Sequence, residues 1–152
     1  MGLAGGATAG TIALYPGTHV HVVELSDAMF GAAEHCAEFN YDVLASPRAT
    51  FQNDDGRNHL LVTGRKYDLI EADLLYPRHV GSGIIYSREY FELVRQSLKP
   101  GGLAIQWLAS NAWTLRTFTA VFPYVTCWAG AAVGSNEPQP PLGLERFRTP
   151  PA

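Results

Sequence analysis

Nowhere in these 152 residues does an apolar run approach the ~20 residues that carry a helix across a bilayer. Charge is sparse, at 16%, and basic residues (11) do not outnumber acidic ones (14), so the chain has no basic face for phosphates. That argues against nucleic acid as an obligate partner. Only two cysteines occur, Cys36 and Cys127. They fit no metal spacing and no disulfide framework, and read as buried, reduced core thiols. With no charged-then-apolar leader, the cytoplasm is the expected location. His19 and His21 alternate on one strand face but have no third ligand nearby, so no metal is expected. His59 and His79 read as isolated.

What is abundant is glycine at the start. Gly2-Leu3-Ala4-Gly5-Gly6-Ala7-Thr8-Ala9-Gly10 precedes a β-branched stretch, His19 to Val23, that ends on Glu24. Glycines allow a tight turn and a close backbone approach to a ligand. The helix that follows turns free N–H groups toward that ligand. A carboxylate closing the next strand, roughly 20 residues on, can accept both hydroxyls of a ribose. This is the pattern of the first turn of a nucleotide-binding α/β unit. Only Met1 stands before Gly2, so the strand that normally precedes such a turn is missing. The chain therefore reads as a fragment of a larger ancestor, with marginal stability expected from unpaired backbone at ~1–3 kcal/mol per buried group.

Further along, Ala7 to Leu14 reads as a short helix closed by Pro16-Gly17. Ser26 or Asp27 can cap a helix from Ala28 to about Phe39, on the spacing of Phe30, Ala33 and Ala37. A strand from Ala49 to Asn53 leads through Asp54-Asp55-Gly56-Arg57 into a short helix at Leu60-Leu61. Tyr67 to Ala72 is a strand ending at Asp73, and a loop with Pro77, Gly81 and Gly83 follows. Ser87 caps a helix to Leu98, which Lys99-Pro100-Gly101-Gly102 stops. Leu103 to Leu108 is the next strand, Thr114 to Val121 a helix, and Tyr124–Trp128 with Ala131–Gly134 an antiparallel pair. Such alternation predicts an α/β fold with a mostly parallel sheet. The closing hairpin marks the Rossmann-like class I methyltransferase architecture, apparently without its first strand. Residues 1–134 are expected to form the nucleoside-binding domain and residues 135–152, with five of the ten prolines, an irregular tail.

Several segments in order resemble the spermidine synthase (polyamine aminopropyltransferase) family, especially its bacterial branch joined to a transporter-like membrane portion. They are Gly2 to Gly10, Val22-Val23-Glu24-Leu25, Asp55-Gly56-Arg57, Tyr67 to Asp73, Tyr86-Ser87-Arg88-Glu89-Tyr90-Phe91 and Lys99-Pro100-Gly101-Gly102. The resemblance implies a site for an adenosyl sulfonium, decarboxylated S-adenosylmethionine or S-adenosylmethionine, as co-substrate, and a small-molecule amine such as putrescine as acceptor. Gly2, Gly5 and Gly6 would form the turn, Glu24 would hold the ribose, Asp55 with Gly56 would face the adenine, and Asp73 would face the ligand. Family members often form homodimers. Where they carry Asp-x-x-Asp-Pro, this chain has Asp73-Leu74-Leu75-Tyr76-Pro77. Tyr76 thus takes the place of the usual base, and a phenol of pKa about 10 is a poor proton acceptor at neutral pH. Gly5 stands where the family has aspartate, and Ala4 where it has glycine. Three readings remain open: aminopropyl transfer, methyl transfer from S-adenosylmethionine, and a non-catalytic nucleoside-binding domain.

Overall fold

The computed structural model describes residues 1–72, 82–108, 112–128 and 130–139. They form two compact units, Gly2–Gly56 and Met1 with Arg57–Gln139. Among them no helix is long and apolar enough to cross a membrane.

In the first unit, β-branched and aromatic residues form two parallel strands, β1 (Val20–Glu24) and β2 (Ala49–Asn53), in register from Val20↔Ala49 to Glu24↔Asn53. Helix α1 (Ala7–Ala13) follows the glycine turn. Leu3, Val22 and Ala33 make a small core, with Phe30 and Phe51 edge to face at 6.2 Å. Arg48 Nη1 donates to the carbonyls of Ala13, Leu14 and Tyr15, closing the end of α1. On β1, both His19 and His21 hydrogen-bond to Thr50 Oγ1, at 3.3 and 2.9 Å.

The single helix expected from Ala28 to Phe39 is in fact two, α2 (Ala28–Glu34) and α3 (Ala37–Asn40). The reason lies at the Ala33 carbonyl. A continuing helix would give it to the N–H of Ala37, but here it accepts from Cys36 N at 3.0 Å and from the Asn40 side chain at 2.8 Å. Apolar spacing alone does not register that competition.

The second unit holds α4 (Gly56–Val62), which starts at the unit boundary, and a four-stranded sheet in the order β3-β4-β6-β5. Strand β3 (Tyr67–Ala72) runs parallel to β4 (Leu98–Trp107), while β6 (Ala131–Ser135) is antiparallel to both β4 and β5 (Tyr124–Trp128). The closing hairpin is therefore as expected. Ser135, expected to open the irregular tail, instead ends β6, where it pairs with Leu103 and is buried. Residues 140–152 lie outside the described residues.

Strand β4 begins five residues earlier than expected, and α5 (Arg88–Gln96) ends two residues sooner. Tyr67 pairs with Leu98 and Leu69 with Leu103, so Lys99–Gly102 bulges out within the strand rather than preceding it. Gly102 fits there because a Cβ would lie 3.0 Å from the Tyr67 carbonyl oxygen. As expected, Ser87 caps α5, its hydroxyl accepting from Tyr90 N at 3.2 Å. Helix α6 spans Ala112–Thr119.

Tyr90 and Phe91 are fully buried, and an aromatic chain runs from Phe91 to Phe118 (5.1 Å, edge to face) and on to Phe122 (4.5 Å, stacked). His59 is not isolated: it is buried, with Nε2 2.7 Å from the Tyr67 hydroxyl. Both cysteines are free, but neither is a core thiol. Cys36 is half-buried and Cys127, on the edge strand β5, is exposed. At the amino terminus the Met1 ammonium donates to the Glu71 carbonyl at 2.5 Å, in β3's unit, and Gly2 N donates to Val23 O at 2.9 Å, in β1's unit.

Replacing Phe91 with alanine empties the junction of the aromatic chain, and is expected to cost about 3–5 kcal/mol in urea unfolding. Lys99 Nζ donates to Asp68 Oδ2 at 2.8 Å, and this hydrogen bond holds the Asp68 carboxyl below its ordinary range. A lowered carboxyl stabilises the fold above the ordinary carboxylate range and stops doing so as pH falls through its lowered value. The pair is exposed, so Lys99→Met should cost under about 1 kcal/mol at neutral pH, with the cost shrinking in high salt and on acidification.

Candidate functional site

The glycine turn, the end of β1 and the end of β2 meet at one residue, Glu24. Its side chain is buried at the carboxyl end of β1. Oε2 accepts the Leu3 N–H at 2.6 Å, and Oε1 accepts the Ser26 N–H at 2.8 Å. One carboxylate thus binds both the turn and the start of the next segment. Each oxygen keeps a second lone pair, which is what a vicinal diol needs. From the other side, the Glu24 carbonyl accepts Asp54 N at 3.1 Å and Asn53 Nδ2 at 2.9 Å. Asn53 Nδ2 also reaches Leu25 O at 3.1 Å. Nothing in the strand pattern of Ala49–Asn53 announced Asn53 as a tie between strand ends.

The turn itself alternates hands. Gly2 and Gly6 take φ of 81° and 82°, and Ala4, between them, takes 46°. Ala4 is thus an L-residue held in a left-handed conformation that glycine adopts with little strain. Gly6 closes the turn by donating to Leu3 O at 2.8 Å and then begins α1. Gly10 is required for a different reason. A Cβ there would sit 1.9 Å from the Asn40 carbonyl oxygen, so α1 and α3 approach only across a glycine. Gly5 carries no such constraint, for a Cβ would rest in ordinary contact with Cys36 Sγ at 3.6 Å.

Of the residues expected at the base, Asp55 is exposed, and its N–H donates to Asp54 Oδ1 at 2.8 Å. Gly56 is the first residue of α4. The Asp54 carboxylate also accepts from Gln52 Nε2 at 3.1 Å, through Oδ2. Asp-Asp-Gly thus sets two adjacent carboxylates just after β2. Gly2, Glu24, Asp55 and Gly56 therefore belong to one folded unit, together with Gly5 and Gly6. Asp73 and Tyr76 lie outside the described residues.

The profile of the Spermine/spermidine synthase domain matches residues 6–121, most of the chain. The chain belongs to this family. Among curated relatives, a polyamine aminopropyltransferase 2 of Hyperthermus butylicus is 29% identical over 121 residues, covering 71% of this chain and 40% of that protein. Another, from Aquifex aeolicus, is 25% identical over 153 residues, covering 88% of this chain and 30% of its own length. This spermine/spermidine synthase domain thus spans less than half the length of either relative. A crystal structure of spermidine synthase in complex with the transition-state analogue AdoDATO aligns over 99% of this chain and 60% of its own, with TM-score 0.79 and 16% identity. Human methyltransferase-like protein 13 in complex with SAH aligns over 96% of this chain and 74% of its own, with TM-score 0.68 and 21% identity. These likenesses fix the fold as the Rossmann-like class I methyltransferase type.

Because Ala4 pays for a left-handed conformation without any side-chain contact that needs it, Ala4→Gly should stabilise the domain by about 1 kcal/mol. Denaturant unfolding of the two proteins side by side measures this, and a loss of stability would contradict the assigned backbone geometry.

Proposed function

We propose that the Gly2–Gly56 unit binds the adenosyl portion of a sulfonium co-substrate, and that the domain serves aminopropyl transfer from decarboxylated S-adenosylmethionine to a small amine. The observation that carries this reading is the Glu24 carboxylate. It is buried, oriented by the Leu3 and Ser26 N–H groups, and set where the glycine turn meets the carboxyl end of β1. Open α/β sheets place their ligands at that end. Membership in the spermine/spermidine synthase domain family and the names of the curated relatives support the aminopropyl chemistry.

In this reading the two Glu24 oxygens accept the ribose hydroxyls through their remaining lone pairs. The backbone of the glycine turn lies against the nucleoside. Asp55 and Gly56 face the adenine. The reaction is an in-line displacement. The lone pair of a neutral amine attacks the carbon beside the sulfonium, that carbon–sulfur bond breaks, and its electrons go to sulfur to release methylthioadenosine. The new ammonium gives its proton to a base. Asp73 supplies negative charge for the amine, and Tyr76 occupies the position of the family's base. Since a neutral phenol neither attracts a polyamine nor readily takes its proton, turnover is slow in this chain.

Calorimetric titration with methylthioadenosine is expected to show binding to this chain and a loss of at least about tenfold in affinity for Glu24→Ala. No binding by a folded protein would overturn the nucleoside reading. With decarboxylated S-adenosylmethionine and putrescine, Tyr76→Asp should release methylthioadenosine about a hundredfold faster than the unaltered chain, the usual span of a general base. Tighter binding of S-adenosylmethionine than of its decarboxylated form would instead favour methyl transfer, for which Leu74, Leu75 and Tyr76 would line a less polar acceptor site.

A further inference from the structure

Asn40 is the most deeply buried polar side chain of the Gly2–Gly56 unit, at 1% exposure, and it lies among the glycines. Its Nδ2 donates to Gly5 O at 2.9 Å and to Ala33 O at 2.8 Å, while Oδ1 accepts Val43 N at 3.3 Å. Both donor hydrogens and the acceptor are thus engaged in three backbone segments at once. The same residue meets the glycine run at two more points. A Cβ on Gly6 would come 3.1 Å from Asn40 Nδ2, and one on Gly10 would collide with the Asn40 carbonyl oxygen.

Immediately after Asn40 the chain takes two left-handed residues in succession, Tyr41 at φ 57° and Asp42 at φ 52°. Neither is glycine, and such residues persist only where the surroundings over-determine them. Here the closure comes from Asn40 Oδ1 on Val43 N and from Asp42 N on Ala37 O at 3.0 Å. The strained turn keeps α3 against α1, and the Asn40 amide reaches across to Gly5. Side chains therefore hold the glycine turn at two places, Glu24 at Leu3 and Asn40 at Gly5, beside the backbone bond from Gly2 N to Val23 O.

We propose that Asn40 is a positioning residue for the nucleoside site. It contacts no ligand, but by holding the Gly5 carbonyl it sets where the Leu3–Gly6 backbone meets the nucleoside. This rests on the nucleoside reading given above. A buried amide between two backbone carbonyls has no apolar or acidic substitute, since a carboxylate of the same size would face those carbonyls as an acceptor without a donor.

The test uses the full chain, methylthioadenosine and three variants, with affinity, thermal unfolding and amide hydrogen exchange read on each. Asn40→Asp keeps the shape and removes the donors. Asn40→Ser is the second choice should Asn40→Asp fail to fold. Arg48→Met is the control, because it weakens the same unit at the far end of α1, away from the turn. The Asn40 variant should bind methylthioadenosine about tenfold to a hundredfold more weakly, as a displaced site does, and lose exchange protection at Gly6 and Gly10. Arg48→Met should lower the melting temperature and leave affinity within about twofold. Unchanged affinity in a folded Asn40 variant overturns the proposal, and so does an equal loss in Arg48→Met, which would make affinity a matter of stability alone. If the unaltered chain does not bind methylthioadenosine, the nucleoside reading itself fails. Exchange then decides the clamp separately: protection at Gly6 and Gly10 lost with Asn40 but kept with Arg48→Met sustains it, and protection kept in both removes it.

Discussion

A single carboxylate organises the amino-terminal unit. The buried Glu24 accepts the Leu3 N–H with one oxygen and the Ser26 N–H with the other. Hydrogen bonds to a carboxylate are roughly twice as strong as neutral ones, and the one from Leu3 joins the turn to the end of β1, 21 residues on. Without Glu24 the turn after Met1 would keep only the Gly2 N–H on Val23 O as its tie to β1, and the buried Leu3 N–H would lose its acceptor. The same atoms suit a ribose, so the interaction that forms the site and the one proposed to use it are hard to separate by mutation. That is why the paired positions, Glu24 and Asn40, are informative together. One faces the proposed ligand and the other is turned away from it.

Much of this architecture was readable before any coordinates. The glycine run, the β-branched stretch closing on Glu24, the Ser87 cap and the carboxy-terminal hairpin all rest on local chemistry, and each stands where the residues placed it. The failures share another cause. The break between α2 and α3 comes from the Asn40 side chain taking a carbonyl seven residues back, and the early start of β4 comes from pairing with Tyr67. Cys127 was expected inside because cysteine usually is, but β5 lies at the sheet edge. Tertiary partners override local preference at these places, and apolar periodicity carries no record of them. Asn40 was missed for the same reason, since a buried asparagine at a helix end looks like an ordinary cap. At Asp54-Asp55-Gly56 the motif locates a loop, but the hydrogen bonds of Asp54 to Gln52 and to Asp55 N are not written in it.

The departures from the family pattern sort by structural constraint. Gly6 and Gly10 are demanded by backbone hand and by helix contact. Ala4 departs from glycine at a position where the conformation still asks for it. Gly5 departs from aspartate where a side chain has room. The glycine turn thus keeps its backbone hand at Gly2, Ala4 and Gly6, with the strain confined to Ala4, while Gly5 is free of that constraint.

The bulge at Lys99–Gly102 has a consequence for the whole of β4. Beyond it Gly102, Ala104 and Gln106 point inward, alternating with the half-exposed Leu103, Ile105 and Trp107. Removing one residue from the bulge would slip the strand by a single step against β3 and exchange the two sets. Ile105 and Trp107 would then press into space shaped for alanine and glutamine, beside an aromatic chain with no slack. The loose-looking Lys-Pro-Gly-Gly is therefore a counting device: its length, more than its composition, decides which face of the central strand is the inside.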